Sequence, residues 1–206
     1  MERISASNPG LDAEIRSACL GDDQAFNTIW RALNPSLVRY LRTRAPDLAE
    51  DAAADTWLAV VKGLRSFEGD AAGFRSWLFT IARSKVVDAA RKASRTPTVL
   101  IDDWTVLDPV SSTDVAAEVL SAVSTEEAIR LVSALPPHQA EIVSLRVLAD
   151  LDVAAVAKIV KKSPGAVRVA QHRALKRLAV LLRASGTPAG GSPSDALPAD
   201  GQGVTG

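Results

Sequence analysis

Asp152-Val-Ala-Ala-Val-Ala-Lys-Ile-Val-Lys-Lys-Ser-Pro-Gly-Ala-Val-Arg-Val-Ala-Gln-His-Arg-Ala-Leu-Lys-Arg-Leu178 reads as two short helices joined by a tight turn. Asp152 stands where an N-cap is needed, because its carboxylate can accept a backbone N–H that the first helical turn leaves without a partner. After Lys161-Lys162, Ser163 supplies a second N-cap, and Pro164 an N1 residue whose fixed φ suits a helix start. At about 100° per residue, Val167, Ala170, Gln171, Ala174, Leu178 and Leu181 share one arc of the second helix. Arg168, Val169, His172, Arg173 and Lys176 occupy the opposite arc. A helix divided in this way can pack on its neighbours while its N-terminal turns enter a DNA major groove, which is the helix-turn-helix pattern. Gln171 intrudes on the apolar arc, so it needs a hydrogen-bond partner or a place at the arc's edge.

Upstream, the apolar spacing is helical almost throughout. Glu126 to Ala134 forms one helix, stopped before Leu135-Pro136-Pro137, and His138 to Leu148 another. Nearer the N-terminus, Phe26, Ile29, Trp30 and Leu33 follow the Gly21-Asp22-Asp23 break, and Asn34-Pro35 restarts a helix containing Leu37, Val38 and Leu41. Asp47 to Leu64 carries Ala53, Thr56, Trp57, Val60, Val61 and Leu64 along one side, and Ser66 to Gly73 is a loop. Phe74, Trp77, Leu78, Ile81 and Ala82 form the next stripe; Trp30, Trp57 and Trp77 are assigned mainly to packing. With no alternating strand pattern longer than a few residues, the expected class is all-α.

The 206 residues are 47% hydrophobic and 23% charged, a globular composition. One cysteine, Cys19, and two histidines exclude an internal disulfide and a Cys/His zinc site, so no metal or cofactor is expected. No apolar run approaches the ~20 residues of a membrane span, and the N-terminus has no signal-like segment, so a cytoplasmic chain without membrane insertion is expected. The formal charge of zero conceals blocks. Arg75 to Arg95 holds six basic residues against one acid, Thr96 to Ile129 seven acids and no base, and Val153 to Arg183 eight basic residues and no acid. Basic patches on helices with apolar stripes point to nucleic acid. The expected organisation is a helical domain at 10–95, a flexible acidic linker at 96–124, a helix-turn-helix domain at 125–184 and a disordered Gly, Pro, Ser and Ala tail at 185–206.

The stretch Phe74-Arg-Ser-Trp-Leu-Phe-Thr-Ile-Ala-Arg-Ser-Lys-Val-Val-Asp-Ala-Ala-Arg91 carries an aromatic, then Trp-Leu, Ile-Ala, Asp and Arg. It resembles the region 2 signature of group IV, or extracytoplasmic-function, sigma factors of bacterial RNA polymerase, in the sigma-70 family. Leu135-Pro-Pro-His-Gln-Ala-Glu-Ile-Val143 and the Gly165 to Leu178 stretch look like the two anchor motifs of that family's region 4. The resemblance implies region 2 reading the minus-10 promoter element and region 4 the minus-35 element. It also implies docking on core RNA polymerase, through the largest-subunit clamp and the flap, and control by an anti-sigma factor.

On that reading the minus-35 candidates are Ser163, Gly165, Arg168, Val169, His172, Arg173 and Lys176. Arg168, near the helix start, is the candidate for base readout, and Arg173 and Lys176 for phosphate contacts. The minus-10 candidates are Phe67, Phe79, Arg83, Ser84, Lys85, Arg91 and Lys92, cationic and aromatic groups of the kind that hold separated strands. Core packing is the alternative for Phe67 and Phe79. By resemblance, Ser84 lines the pocket for an extruded base. The polymerase-docking candidates are Glu50, Asp51, Asp55 and Trp57, although Ala54-Asp55 stands where the family usually has Gln-Glu. Two competing classes remain: a helix-turn-helix regulator acting without polymerase, which leaves the Trp77 to Arg95 motif without a role, and a DNA enzyme. The latter lacks a strand-rich pattern, a metal-ligand cluster or a Ser/His/Asp arrangement, so a non-enzyme is expected.

Overall fold

Asp22 accepts N–H groups from Gln24 and Ala25 and starts the helix on which the molecule is built. The computed structural model describes residues 10–93 and 124–184, and side chains within 10–89 and 124–183. Most of the expected linker and the whole expected tail lie outside the described residues. In chain order the elements are α1 (Asp12–Cys19), α2 (Asp23–Arg44), a 3-10 turn (Pro46–Leu48), α3 (Ala49–Gly63), a second 3-10 turn (Leu64–Ser66) and α4 (Ala71–Ala93). Then come α5 (Thr125–Ser133), α6 (Pro137–Val143) running into a π turn (Ser144–Leu148), α7 (Val153–Val160) and α8 (Pro164–Ala184). Among the described residues there is no strand, and no helix is long and apolar enough to cross a membrane.

Three expectations are corrected. Pro35 does not restart a helix: α2 runs through it as one 22-residue element. Proline inside a helix costs about 3 kcal/mol or more through a lost bond and a clash. Burial of Ile29, Leu33, Leu37, Tyr40 and Leu41 on either side of it offsets that cost. Second, Val61 faces outward at 52% exposed, and Trp30 at 40% is not a core residue. Third, α1, which the apolar spacing had not marked, closes one end of the bundle with Ile15 and Ala18 buried and Asp12 accepting the Ala71 N–H at 2.6 Å.

The loop before α4 is tightened by the second 3-10 turn, and Asp70 accepts the Gly73 N–H at 2.7 Å. Ser124 caps α5, Asp152 caps α7 and Ser163 accepts the Ala166 N–H at the start of α8, as their side-chain chemistry requires. One apolar cluster joins α1 to α4 and continues through Ile142, Leu145, Leu151, Val156 and Val167 of the C-terminal half. A second cluster, with Leu131, Val132, Leu135, Val143, Ala174 and Leu178, belongs to the C-terminal half alone.

Where α3 approaches α4, Gly63 leaves room for an indole. A Cβ built there lies 2.9 Å from Trp77 Cζ2, and that ring is stacked on Phe67 and set edge-on against Phe74. Gly63→Ala gains at most about 1 kcal/mol of helix propensity and forces a packed ring to shift, which costs roughly 1–3 kcal/mol. Chemical denaturation should therefore show a lower midpoint for Gly63→Ala; an unchanged or raised midpoint would mean that Trp77 moves aside freely.

Candidate nucleic-acid interface

The turn between α7 and α8 is built by a residue in the left-handed conformation. Lys161 has φ 57°, and the Lys162 N–H donates to the Ala157 carbonyl at 3.0 Å, closing α7 with a Schellman-type bond. From there α8 leaves with Val167, Ala170, Ala174, Leu178 and Leu182 buried. Gln171, the polar intruder on that arc, accepts from Arg146 Nε at 3.3 Å. Arg146 also donates to the Leu151 carbonyl, so one guanidinium ties the π turn, the approach to α7 and the middle of α8 together. No local pattern signals this role for Arg146, because its partners Gln171 and Leu151 come to it only through the fold.

The outer face of α8 carries the minus-35 candidates together. Ser163, Gly165, Arg168 and Lys176 are exposed, and Val169, His172 and Arg173 are half-buried. A Cβ on Gly165 would meet nothing closer than Ser163 Oγ at 3.9 Å, so neither space nor backbone demands glycine there. His172 Nε2 is buried without a hydrogen-bond partner among the described residues.

The minus-10 candidates divide. Phe67 is half-buried and stacks on Trp77 with centroids 5.2 Å apart, and Ser84 is exposed on α4 with Lys85 half-buried nearby. Phe79 takes the packing alternative: it is fully buried, edge-on to Tyr40 at 5.5 Å. Arg83 is ion-paired to Glu141 of α6 at 2.8 Å. The side chains of Arg91 and Lys92 lie outside the described residues.

On α3, Glu50, Asp51 and Asp55 are exposed, and Glu50 pairs with Arg42 of α2 at 3.0 Å. Trp57 is buried instead, donating Nε1–H to Asn34 Oδ1 at 2.9 Å and lying edge-on to Phe26. The exposed groups beside Asp55 are Leu58 (59%), which lies off the apolar stripe of α3, and Val61 (52%), which hydrophobic spacing had placed on that stripe. Their spacing with Ala54 and Asp55 puts them on one helix face. Large apolar residues on a solvated face next to an acid are the signal that could have found them.

Residues 29–96 match the family described as Sigma-70 region 2, and residues 125–178 the one described as Sigma-70, region 4. Among curated proteins, the ECF RNA polymerase sigma factor SigD of Mycobacterium tuberculosis strain ATCC 25618 / H37Rv is 34% identical over 180 residues, 82% of each chain. The ECF RNA polymerase sigma factor ShbA of Streptomyces griseus subsp. griseus is 33% identical over 180 residues, 83% of this chain and 94% of that one. Two solved structures share the fold. CnrH, in complex with the cytosolic domain of CnrY, aligns with a TM-score of 0.58 at 20% identity, over 85% of this chain and 99% of that one. RpoE from Bartonella quintana, in complex with the anti-sigma factor NepR, aligns at 0.51 and 23% identity, over 77% and 96%. A two-part helical protein with a helix-turn-helix in its second part is thus of the sigma-70 type. The chain belongs to the ECF RNA polymerase sigma factors, the proteins that direct transcription initiation at promoters.

Proposed function

We propose that this sigma factor docks on core polymerase through the outer face of α3, reads the minus-35 element with α8, and holds the opened minus-10 element near Ser84 and the Phe67–Trp77 stack. The observation that carries the reading is the α3 face, where Leu58 and Val61 stand in solvent beside Asp55. A stand-alone DNA-binding regulator has no use for such a face, whereas a protein partner can desolvate the apolar pair and meet the acid with a cation. In this reading Asp51 and Glu50 extend the acidic end of the docking face, and Trp57 supports it from beneath by holding α3 on α2. Arg91 and Lys92 supply backbone contacts in the minus-10 region. The protein acts in the cytoplasm by binding and not by catalysis, and an anti-sigma factor controls it; RpoE, which shares the fold, is in complex with the anti-sigma factor NepR.

Capture of purified core polymerase tests the docking face. Leu58→Asp and Asp55→Lys should each weaken capture at least tenfold while leaving the thermal melt of the free protein unchanged, because neither side chain is buried. Wild-type capture by both variants would move docking elsewhere. On the DNA side, Lys176→Ala should weaken binding to all minus-35 sequences alike and lower the salt slope by about 0.9. Arg168→Ala should cost about 1–3 kcal/mol and relax preference at one base pair. Equal losses across a sequence library for both variants would show that the two residues do not divide the work in this way.

A further inference from the structure

The inner face of α8 is smooth beneath the turns that would enter a groove. Between Val167 and Leu178 its buried residues are Ala170 and Ala174, whose methyl groups offer a neighbour little to interlock with. Apolar packing is non-directional, so it sets how close α8 lies and leaves the roll of α8 about its own axis loosely fixed. Roll decides where a reading side chain points. Side-chain tips stand about 6 Å from a helix axis, so a roll of about 20° carries one by about 2 Å. A hydrogen bond to a base edge tolerates a displacement of only about 0.5 Å.

Gln171 supplies a directional bond that these alanines cannot. Its Oε1 accepts from Arg146 Nε at 3.3 Å, and Arg146 is itself held in place. The Ala149 N–H donates to the Ser144 carbonyl at 3.0 Å and the Leu151 N–H to the Leu145 carbonyl at 3.1 Å. These bonds fold the chain back after the π turn and bring the Leu151 carbonyl to Arg146 Nη1, which donates to it. Leu151 is buried and stands next to Asp152, the cap of α7. The α7–α8 pair is therefore fixed at its closed end by the Lys161 turn, and across its open end by Arg146, which grips the chain entering α7 with one nitrogen and α8 with another. A second tie, from Arg177 to Gln139 of α6 at 3.5 Å, holds α8 further along, beyond the groove-entering turns.

We propose that Arg146 and Gln171 are positioning residues for minus-35 recognition: their bond sets the roll of α8 and so aims Arg168, which is exposed one turn before Gln171 on the adjoining flank of the helix. Neither residue needs to touch DNA. The proposal rests on the promoter reading above and adds to it the cause of selectivity at one base pair. Phosphate contacts from flexible lysines follow a rolled helix and keep their charge, whereas a bidentate arginine–guanine contact is lost with its geometry. Breaking the bond should therefore change which sequences are chosen, with little change in how tightly DNA as a whole is held.

The test is run-off transcription by core polymerase with the full chain, on promoters randomised at the minus-35 element, alongside thermal melts of the free chain. Arg168→Ala identifies the base pair that Arg168 reads. Gln171→Leu fits the apolar arc, so its melt should match or exceed the parent's, yet preference at that pair should fall about fivefold, the worth of one lost hydrogen bond. Gln171→Glu keeps an acceptor for Arg146 and should keep the preference, while its charge weakens initiation at every sequence alike. Arg146→Ala should lose the preference at least as far as Gln171→Leu does. Adding Gln171→Leu to Arg146→Ala or to Arg168→Ala should change nothing further at that pair. Preference unmoved by Gln171→Leu, or lowered equally at every position together with the melt, overturns the positioning role. If Arg146→Ala loses its helix content, the contrast between Gln171→Leu and Gln171→Glu decides. If Arg168→Ala moves no position, Arg168 is not the reader, and the positioning role then stands only if Gln171→Leu alters preference somewhere and Gln171→Glu does not. A parent chain that directs no initiation overturns the promoter reading and the proposal with it; a selective parent with an indifferent Gln171→Leu overturns the proposal alone.

Discussion

α2 has to bury apolar side chains toward several sets of neighbours at once, and the rest of the molecule is arranged around that requirement. Ile29, Leu33, Leu37, Tyr40 and Leu41 are all essentially inaccessible, which no single facing helix could achieve for so wide a stripe. α1 and α3 cover one part, α4 another, and the C-terminal half the remainder. The hydroxyls in this core are kept harmless by donation within their own helices: Ser36 to the Leu33 carbonyl, Thr43 to that of Tyr40, Thr56 to that of Ala52. Tyr40 is the exception, and it lies where the two halves meet.

The helix-turn-helix was legible because its signals are local. Caps at Asp152 and Ser163 act within three residues, and the arc of α8 follows from helical geometry, so Val167, Ala170, Ala174 and Leu178 are buried as the wheel requires. Tertiary packing overrides the local signals elsewhere. Pro35 is a local stop signal overruled by burial on both sides of it, and α1 has few apolar residues because it only caps the end of a bundle. Trp30 and Val61 are apolar residues left in solvent, which hydrophobic spacing by itself assigns inward.

Charge followed the same division. The acid-free outer face of α8 was visible in the linear sequence, since nothing downstream of Asp152 within the domain opposes it. Arg83 belongs to an equally visible basic block, yet its partner is 58 residues away on α6, and no linear sum reveals that pairing. Asp55 stays exposed as an acid on α3, while Trp57, two residues on, is a packing residue holding α3 to α2. In the candidate sites the residue types were therefore readable, and their commitments to one another were not.

Membership of the sigma family makes one claim central: promoter choice by polymerase is conferred by this chain. The direct measurement is run-off transcription with purified core polymerase on templates randomised upstream of the start site. Initiation should require the chain and select templates sharing two short elements spaced about 25 base pairs apart, roughly 85 Å of duplex. Initiation that is indifferent to the chain, or enrichment of a single element that the chain binds equally well without polymerase, would contradict the account.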